Sequence, residues 1–228
     1  MFRQWPSGLP AELEVCAVQL PGRGSRLREP TVVSIPALVD ALLHALTPHL
    51  DVPFAFFGHS MGAVLAFEVA QALAKRGLPL PRHLIVSGRR APQIPDSWPP
   101  LRHLPDTEFV AEINRRYGGI PSEILESPDV LELLLPCLRA DVAALETHRP
   151  TSGSPLSCPI SAFGGADDLQ TPHAHLEGWG VETSSTFEVC IFPGGHFYLE
   201  PQQVAVLARL SAMLAPIFGR AANQETSK

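Results

Sequence analysis

The apolar run Phe54-Ala55-Phe56-Phe57 ends on Gly58-His59-Ser60-Met61-Gly62 and passes straight into an alanine-rich, apolar-periodic stretch that reaches Gly77. An unbroken apolar run reads as a strand buried on both faces of a parallel sheet, and apolar residues at steps of three and four read as a helix. The stretch therefore predicts strand, sharp turn, helix. Ahead of it, Leu13 to Leu20 reads as a strand, closed by Pro21-Gly22-Arg23-Gly24. Ile35 to Leu50 reads as a helix, with Leu38, Val39, Leu42, Leu43 and Leu46 on one face after a Ser34 cap and Pro36. Phe2 to Pro10 is the remnant of a helix or a loop. Beyond Gly77, Leu84-Ile85-Val86-Ser87 is a further strand. Strand, helix, strand, helix, strand predicts an α/β fold: a mostly parallel sheet with helices on both faces.

The rhythm breaks at Ala91. A proline-rich stretch to about Pro105 is followed by helices predicted near Asp106 to Tyr117 and near Asp129 to His148, the second with Leu131, Leu134, Leu135, Leu138, Val142 and Leu145 as an amphipathic stripe. A helical insertion between strands, here about 91–150, is the usual form of a lid or substrate pocket; the alternative is a stripe that merely packs on the core. Strands resume at Cys158 to Phe163, ending on Gly164-Gly165-Ala166-Asp167-Asp168, and at Phe187 to Phe192, ending on Pro193-Gly194-Gly195-His196. A helix over Val204 to Phe218 and a polar, frayed tail from Ala221 to Lys228 close the chain.

Composition narrows the picture. The 228 residues, 45% hydrophobic and 18% charged, suffice for one domain spanning 1–228 with a substantial core. A net charge of −6 and a pI near 5.8 leave no global basic field for nucleic acid or anionic lipid. The chain has no apolar segment of the roughly 18 to 20 residues a membrane span needs and no apolar leader after Met1, which predicts a cytoplasmic protein. Cys16, Cys137, Cys158 and Cys190 are scattered, Cys16 and Cys190 within predicted strands, which argues against a disulfide frame or a metal site.

Candidate chemistry gathers at the predicted carboxyl ends of strands, where open parallel sheets bind ligands. Ser60 lies in a Gly-x-Ser-x-Gly turn. Such an elbow holds the serine in a strained conformation, and Gly58 and Gly62 are expected where a Cβ would collide with the neighbouring strand and helix. The Asp167/Asp168 pair and His196 follow, in the order Ser, Asp, His. A serine hydroxyl needs an imidazole to take its proton, and the imidazole needs a carboxylate to hold its tautomer. The roles expected are Ser60 nucleophile, His196 general base and then acid, and aspartate orienter. Asp168 is preferred because Gly165-x-x-Asp168 leaves room for a turn, with Asp167 as the alternative. The Met61 N–H offers one oxyanion donor. His59 is expected to pack or to shape the elbow rather than to catalyse. His173 and His175 read as surface residues, and Arg89-Arg90 and Arg115-Arg116 as solvated charge or, in the minority reading, contacts for an anionic partner.

Five stretches carry a resemblance: Ala17-Val18-Gln19-Leu20-Pro21-Gly22-Arg23, Phe56-Phe57-Gly58-His59-Ser60-Met61-Gly62, Ser87-Gly88-Arg89-Arg90-Ala91-Pro92, Leu134-Leu135-Pro136-Cys137-Leu138-Arg139-Ala140-Asp141 and Phe192-Pro193-Gly194-Gly195-His196-Phe197. Together the chain resembles the type II thioesterases of the α/β-hydrolase superfamily, the editing enzymes of polyketide and nonribosomal peptide synthesis, with the oleoyl-ACP hydrolases of fatty acid synthesis as close relatives. The resemblance implies a triad acid at Asp168 and a helical lid over an acyl pocket. It implies hydrolysis of acyl groups from the phosphopantetheine thioester of an acyl or peptidyl carrier protein through an acyl-serine intermediate. No cofactor or metal beyond the partner's phosphopantetheine is expected, and a monomer is. The family pattern places an apolar strand and a Gly-Gly loop ahead of Phe2, the source of the second oxyanion donor, so this chain is expected to start after both. The competing readings are a carboxylesterase or lipase with the same triad, and an inactive hydrolase fold that docks a carrier protein.

Overall fold

A computed structural model describes residues 2–151 and 153–225. The apolar runs form four parallel strands: β1 (Phe56–His59), β2 (Leu84–Ser87), β3 (Ile160–Gly165) and β4 (Phe187–Phe192), in spatial order β1-β2-β3-β4. Register runs straight across, with Phe56 beside Leu84, Leu84 beside Ile160 and Ile160 beside Phe187. All four therefore present their carboxyl ends on one side.

Alternation along β2 shows how the sheet is covered. Leu84 and Val86 pack with Phe67, Ile160, Ala162, Leu176 and Trp179 on one face, while Ile85 packs with Phe163, Phe192 and the last helix on the other. Helices α1 (Ile35–Leu46) and α2 (Met61–Lys75) lie on the first side, α1 docking Leu38, Val39 and Leu43 against Leu65, Val69 and Leu73 of α2. Ser34 caps α1 by accepting from the Ala37 N–H at 3.5 Å, as the sequence predicts. On the second side, α7 (Gln203–Glu225) packs Val206, Leu207, Leu210 and Leu214 against the sheet with Trp5, which a 3-10 turn over Phe2–Gly8 carries. The expected α/β architecture is present.

Two expectations change. Leu13 to Leu20 forms no strand; the segment is mostly exposed, Cys16 included, because no described strand runs beside it and extended chain without a paired ladder remains irregular. The closing helix also runs past Phe218 to Glu225 and takes in much of the expected tail, whose residues 226–228 lie outside the described chain.

The insertion holds α3 (Asp106–Tyr117), α4 (Ser122–Leu125) and α5 (Pro128–Thr147), with α6 (His173–Glu177) following β3. Leu131, Leu135, Leu138 and Val142 of α5 pack on Leu101, Phe109, Val110 and Ile113, so most of the stripe builds a core within the insertion. Ala144 and Leu145 join the α1–α2 cluster. The layer is pinned further by Arg23, whose guanidinium donates to both Asp141 carboxylate oxygens at 2.9 and 2.7 Å.

Candidate active site

Ser60 joins β1 to α2 at φ 55° and ψ −115°, the one non-glycine residue with positive φ among those described. A side chain held there costs on the order of 1–3 kcal/mol, and the hydrogen-bonded frame around it supplies that energy. The Ser60 N–H donates to the Ser87 carbonyl at 2.8 Å and the Gly88 N–H to the Phe163 carbonyl at 2.9 Å. Gly58 is obligatory, since a Cβ on it would lie 2.1 Å from the Gly62 carbonyl oxygen. Gly62 is not: a Cβ there meets open space, so the expected clash holds for only one of the two glycines.

His196 follows β4 on a tight turn and donates through Nδ1–H to Asp168 Oδ2 at 2.8 Å, with both side chains almost wholly buried. The carboxylate is itself oriented by the Gln170 N–H at 3.0 Å on Oδ1. Asp167, one residue earlier, is exposed. Gly165 allows this meeting, because a Cβ on it would stand 2.3 Å from the Gly195 carbonyl oxygen and block the β3 and β4 turns from closing on each other. No hydrogen bond among the described residues joins Ser60 Oγ to His196; such bonds commonly tighten only with substrate in place. Met61 is the first residue of α2, where the N–H has no acceptor within the helix.

The surroundings place His59 beside the triad, as expected, and add partners that the sequence reading did not name. His59 packs its ring 4.9 Å from that of His196, and its Nδ1 lies 2.8 Å from Ser87 Oγ. Ser87 Oγ in turn pairs with the Tyr198 hydroxyl at 2.6 Å. Burial, and next the neighbouring His196, push the His59 pKa down to about 3, so its ring is neutral near pH 7. On the other side, Tyr117 of α3 sets its ring edge-on to His196 at 4.9 Å. The chain has two tyrosines and both converge here, a scarcity that could have drawn attention to them. His173 is exposed as expected, but His175 is half-buried. No group of three or more candidate metal-binding side chains occurs among the described residues.

A buried His–Asp pair beside a strained serine, all at carboxyl strand ends, is a geometry suited to acyl transfer. The comparisons with known proteins agree with it. The chain is 41% identical over 217 residues to linear gramicidin dehydrogenase LgrE of Brevibacillus parabrevis, covering 94% of this chain and 82% of that protein. It is 37% identical over 219 residues to the gramicidin S biosynthesis protein GrsT of Aneurinibacillus migulanus, covering 94% and 85%. Among solved structures it superposes on RedJ, a thioesterase of the prodiginine biosynthetic pathway in Streptomyces coelicolor, with a TM-score of 0.86 and 40% identity over 92% of this chain and 84% of that one. Residues 1–214 match the sequence profile of the thioesterase domain, and the chain belongs to that family.

Proposed function

We propose that this protein is a serine thioesterase that hydrolyses acyl groups from the phosphopantetheine thioester of an acyl or peptidyl carrier protein, editing or releasing chains in polyketide, nonribosomal peptide or fatty acid synthesis. The observation that carries it is the buried His196–Asp168 pair at 2.8 Å beside the strained Ser60 elbow. Ser60 Oγ attacks the thioester carbonyl carbon while His196 Nε2 takes its proton. The tetrahedral intermediate collapses, the C–S bond breaks, and His196 returns the proton to the departing thiolate. Water then attacks the acyl-serine by the same route and releases the free acid. Asp168 holds Nδ1 protonated and stabilises the imidazolium, and the Met61 N–H donates to the developing oxyanion.

The biosynthetic context of LgrE, GrsT and RedJ supports carrier proteins as partners. LgrE carries the name of a dehydrogenase, but dinucleotide binding rests on Gly-x-Gly-x-x-Gly at a strand–helix turn, where this chain has Gly58-His59-Ser60-Met61-Gly62. No helix of the described residues is long and apolar enough to cross a membrane, and on this reading the chain works in the cytoplasm, as a monomer and without a cofactor of its own.

The test sets acyl-carrier-protein thioesters against p-nitrophenyl esters and adds a fluorophosphonate probe. Preferred cleavage of the thioesters with labelling at Ser60 is expected. A strong preference for oxygen esters would turn the assignment to a carboxylesterase, and an unlabelled Ser60 in folded protein would turn it to a carrier-binding module.

A further inference from the structure

A cavity of about 470 Å³ opens between α2, the 89–102 segment and the end of α5. Phe67, Val64, Leu145 and Trp179 give it an apolar wall, and four arginines and three acids stand around it. The acids are all engaged. Asp96 pairs with Arg90 at 2.8 Å. Glu146 accepts from Arg102 and from the Leu101 N–H. Glu68 accepts from His148 at 2.8 Å and the Thr151 N–H at 3.1 Å. Arg149 turns its guanidinium onto the carbonyls of Glu146 and His148. Only Arg89 among the cavity's arginines has a guanidinium with neither a hydrogen bond nor an ion pair among the described residues.

Five N–H donors and a charge without a protein partner in a part-buried wall must be met by water or by a ligand that supplies the acceptors. Desolvation, and next the repulsion of Arg90, bring the Arg89 pKa down to about 10, which still leaves it cationic near pH 7. Its place ties it to the reacting groups. A Cβ on the preceding Gly88 would stand 3.3 Å from His196 Cε1, so the backbone leading into Arg89 lies against that ring. The backbone of Arg89 is held still, its carbonyl accepting from Trp179 Nε1 at 2.8 Å.

We propose that Arg89 is a specificity-determining residue, binding an oxyanion of the thioester substrate in this cavity, next along the chain from Gly88, which lies against His196. A guanidinium takes a carboxylate or phosphate through two parallel hydrogen bonds. The closeness of its chain neighbour Gly88 to His196 favours a carboxylate on the acyl chain over the phosphate of the pantetheine arm, and the preferred substrates are then acidic acyl groups. The inference rests on the thioesterase reading above.

The test uses matched acidic and neutral acyl chains of four, six and eight carbons (succinyl, adipoyl and suberoyl against butanoyl, hexanoyl and octanoyl), each on N-acetylcysteamine and on phosphopantetheine. In at least one length the wild type favours the acidic chain in kcat/KM, and Arg89→Gln narrows that ratio by about ten- to a hundredfold. If the phosphate is the ligand, the ratio of phosphopantetheine to N-acetylcysteamine thioesters falls instead. Arg89→Lys keeps the charge in case the neutral variant fails to fold, and loses at least about threefold because it lacks the fork. Ratios equal to wild type in either variant overturn the proposal. Calorimetric titration of the same thioesters into Ser60→Ala protein, with and without Arg89→Gln, reads binding without turnover. Should the wild type hydrolyse none of the thioesters, acidic or neutral, the thioesterase reading fails, while the titration still decides whether Arg89 holds the anion.

Discussion

Asp167 and Asp168 are neighbours in sequence, yet the turn after β3 sends one into solvent and the other 2.8 Å from His196. Charge alone does not distinguish them; the difference lies in orienting the imidazole. Asp168→Asn keeps the shape but favours the wrong tautomer, and kcat on an acyl thioester is expected to fall by about 10³- to 10⁴-fold. Asp167→Asn should stay within about threefold, as befits an exposed side chain. Steady-state kinetics on both variants, with circular dichroism to show that they fold, decides the matter, and a large loss in Asp167→Asn alone would reverse the assignment. Spacing suggested the choice in advance. Tyr117 and Tyr198 were not legible at this scale, because each reaches the site from a different element and carries no motif of its own, and Ser87, though inside a quoted motif, shows its hydroxyl's partners only in the fold.

At the scale of elements, the β1–α2 elbow was readable because strand, turn and helix are consecutive in the chain and each has a local signature. Its two glycines behave differently. Gly58→Ala drives a Cβ into the Gly62 backbone and is expected to cost about 3 kcal/mol, whereas Gly62→Ala faces open space and should leave stability to unfolding equal or higher, since alanine is the better helix former. Urea denaturation of the two variants measures this contrast. The α5 layer depends on a connection that no local pattern reveals: Arg23 grips Asp141 across 118 residues of sequence. With both side chains part-buried and the contact bidentate, a double-mutant cycle over Arg23→Ala and Asp141→Ala should give a coupling of roughly 1 kcal/mol. If α5 roofs the acyl site, KM should rise in both variants. Additive losses would show that the pair does not hold the layer down.

The whole molecule has a pH dependence that follows from its buried histidines. His59, with a folded pKa of about 3, and His83, also lowered mainly by burial, are neutral in the fold and take up protons on unfolding at their ordinary value near 6.5. Their contribution is fully present above about pH 6.5 and is lost as pH falls, by up to about 1.4 kcal/mol per pH unit for each group. Burial would raise the Glu68 pKa, but hydrogen bonds from His148 and Thr151 hold it below the usual carboxylate value. It therefore adds a second loss, of the same sign, once the pH falls through the carboxylate range. Stability measured by urea melts should decline from pH 7 to 4. Replacing His59 with Gln should flatten the slope between about 6.5 and 5, where Glu68 is still ionised. An unchanged slope there would show that His59 does not carry the linkage.

What the sequence by itself determined is local or periodic: four apolar strands, the helices that alternate with them, the insertion between β2 and β3, and three chemical residues at strand ends. These follow from burial acting on neighbours one to four positions apart. Tertiary structure decided the rest, for the same physical reason in each case. Leu13 to Leu20 has strand-like residues but no described strand beside it, and a ladder needs two chains. The α5 stripe was visible, but its partner, the α3 face with Phe109 and Ile113, was not. The contrast between a paired Arg90 and an unpaired Arg89 exists only once Asp96, Glu146 and Glu68 have each found another donor in space.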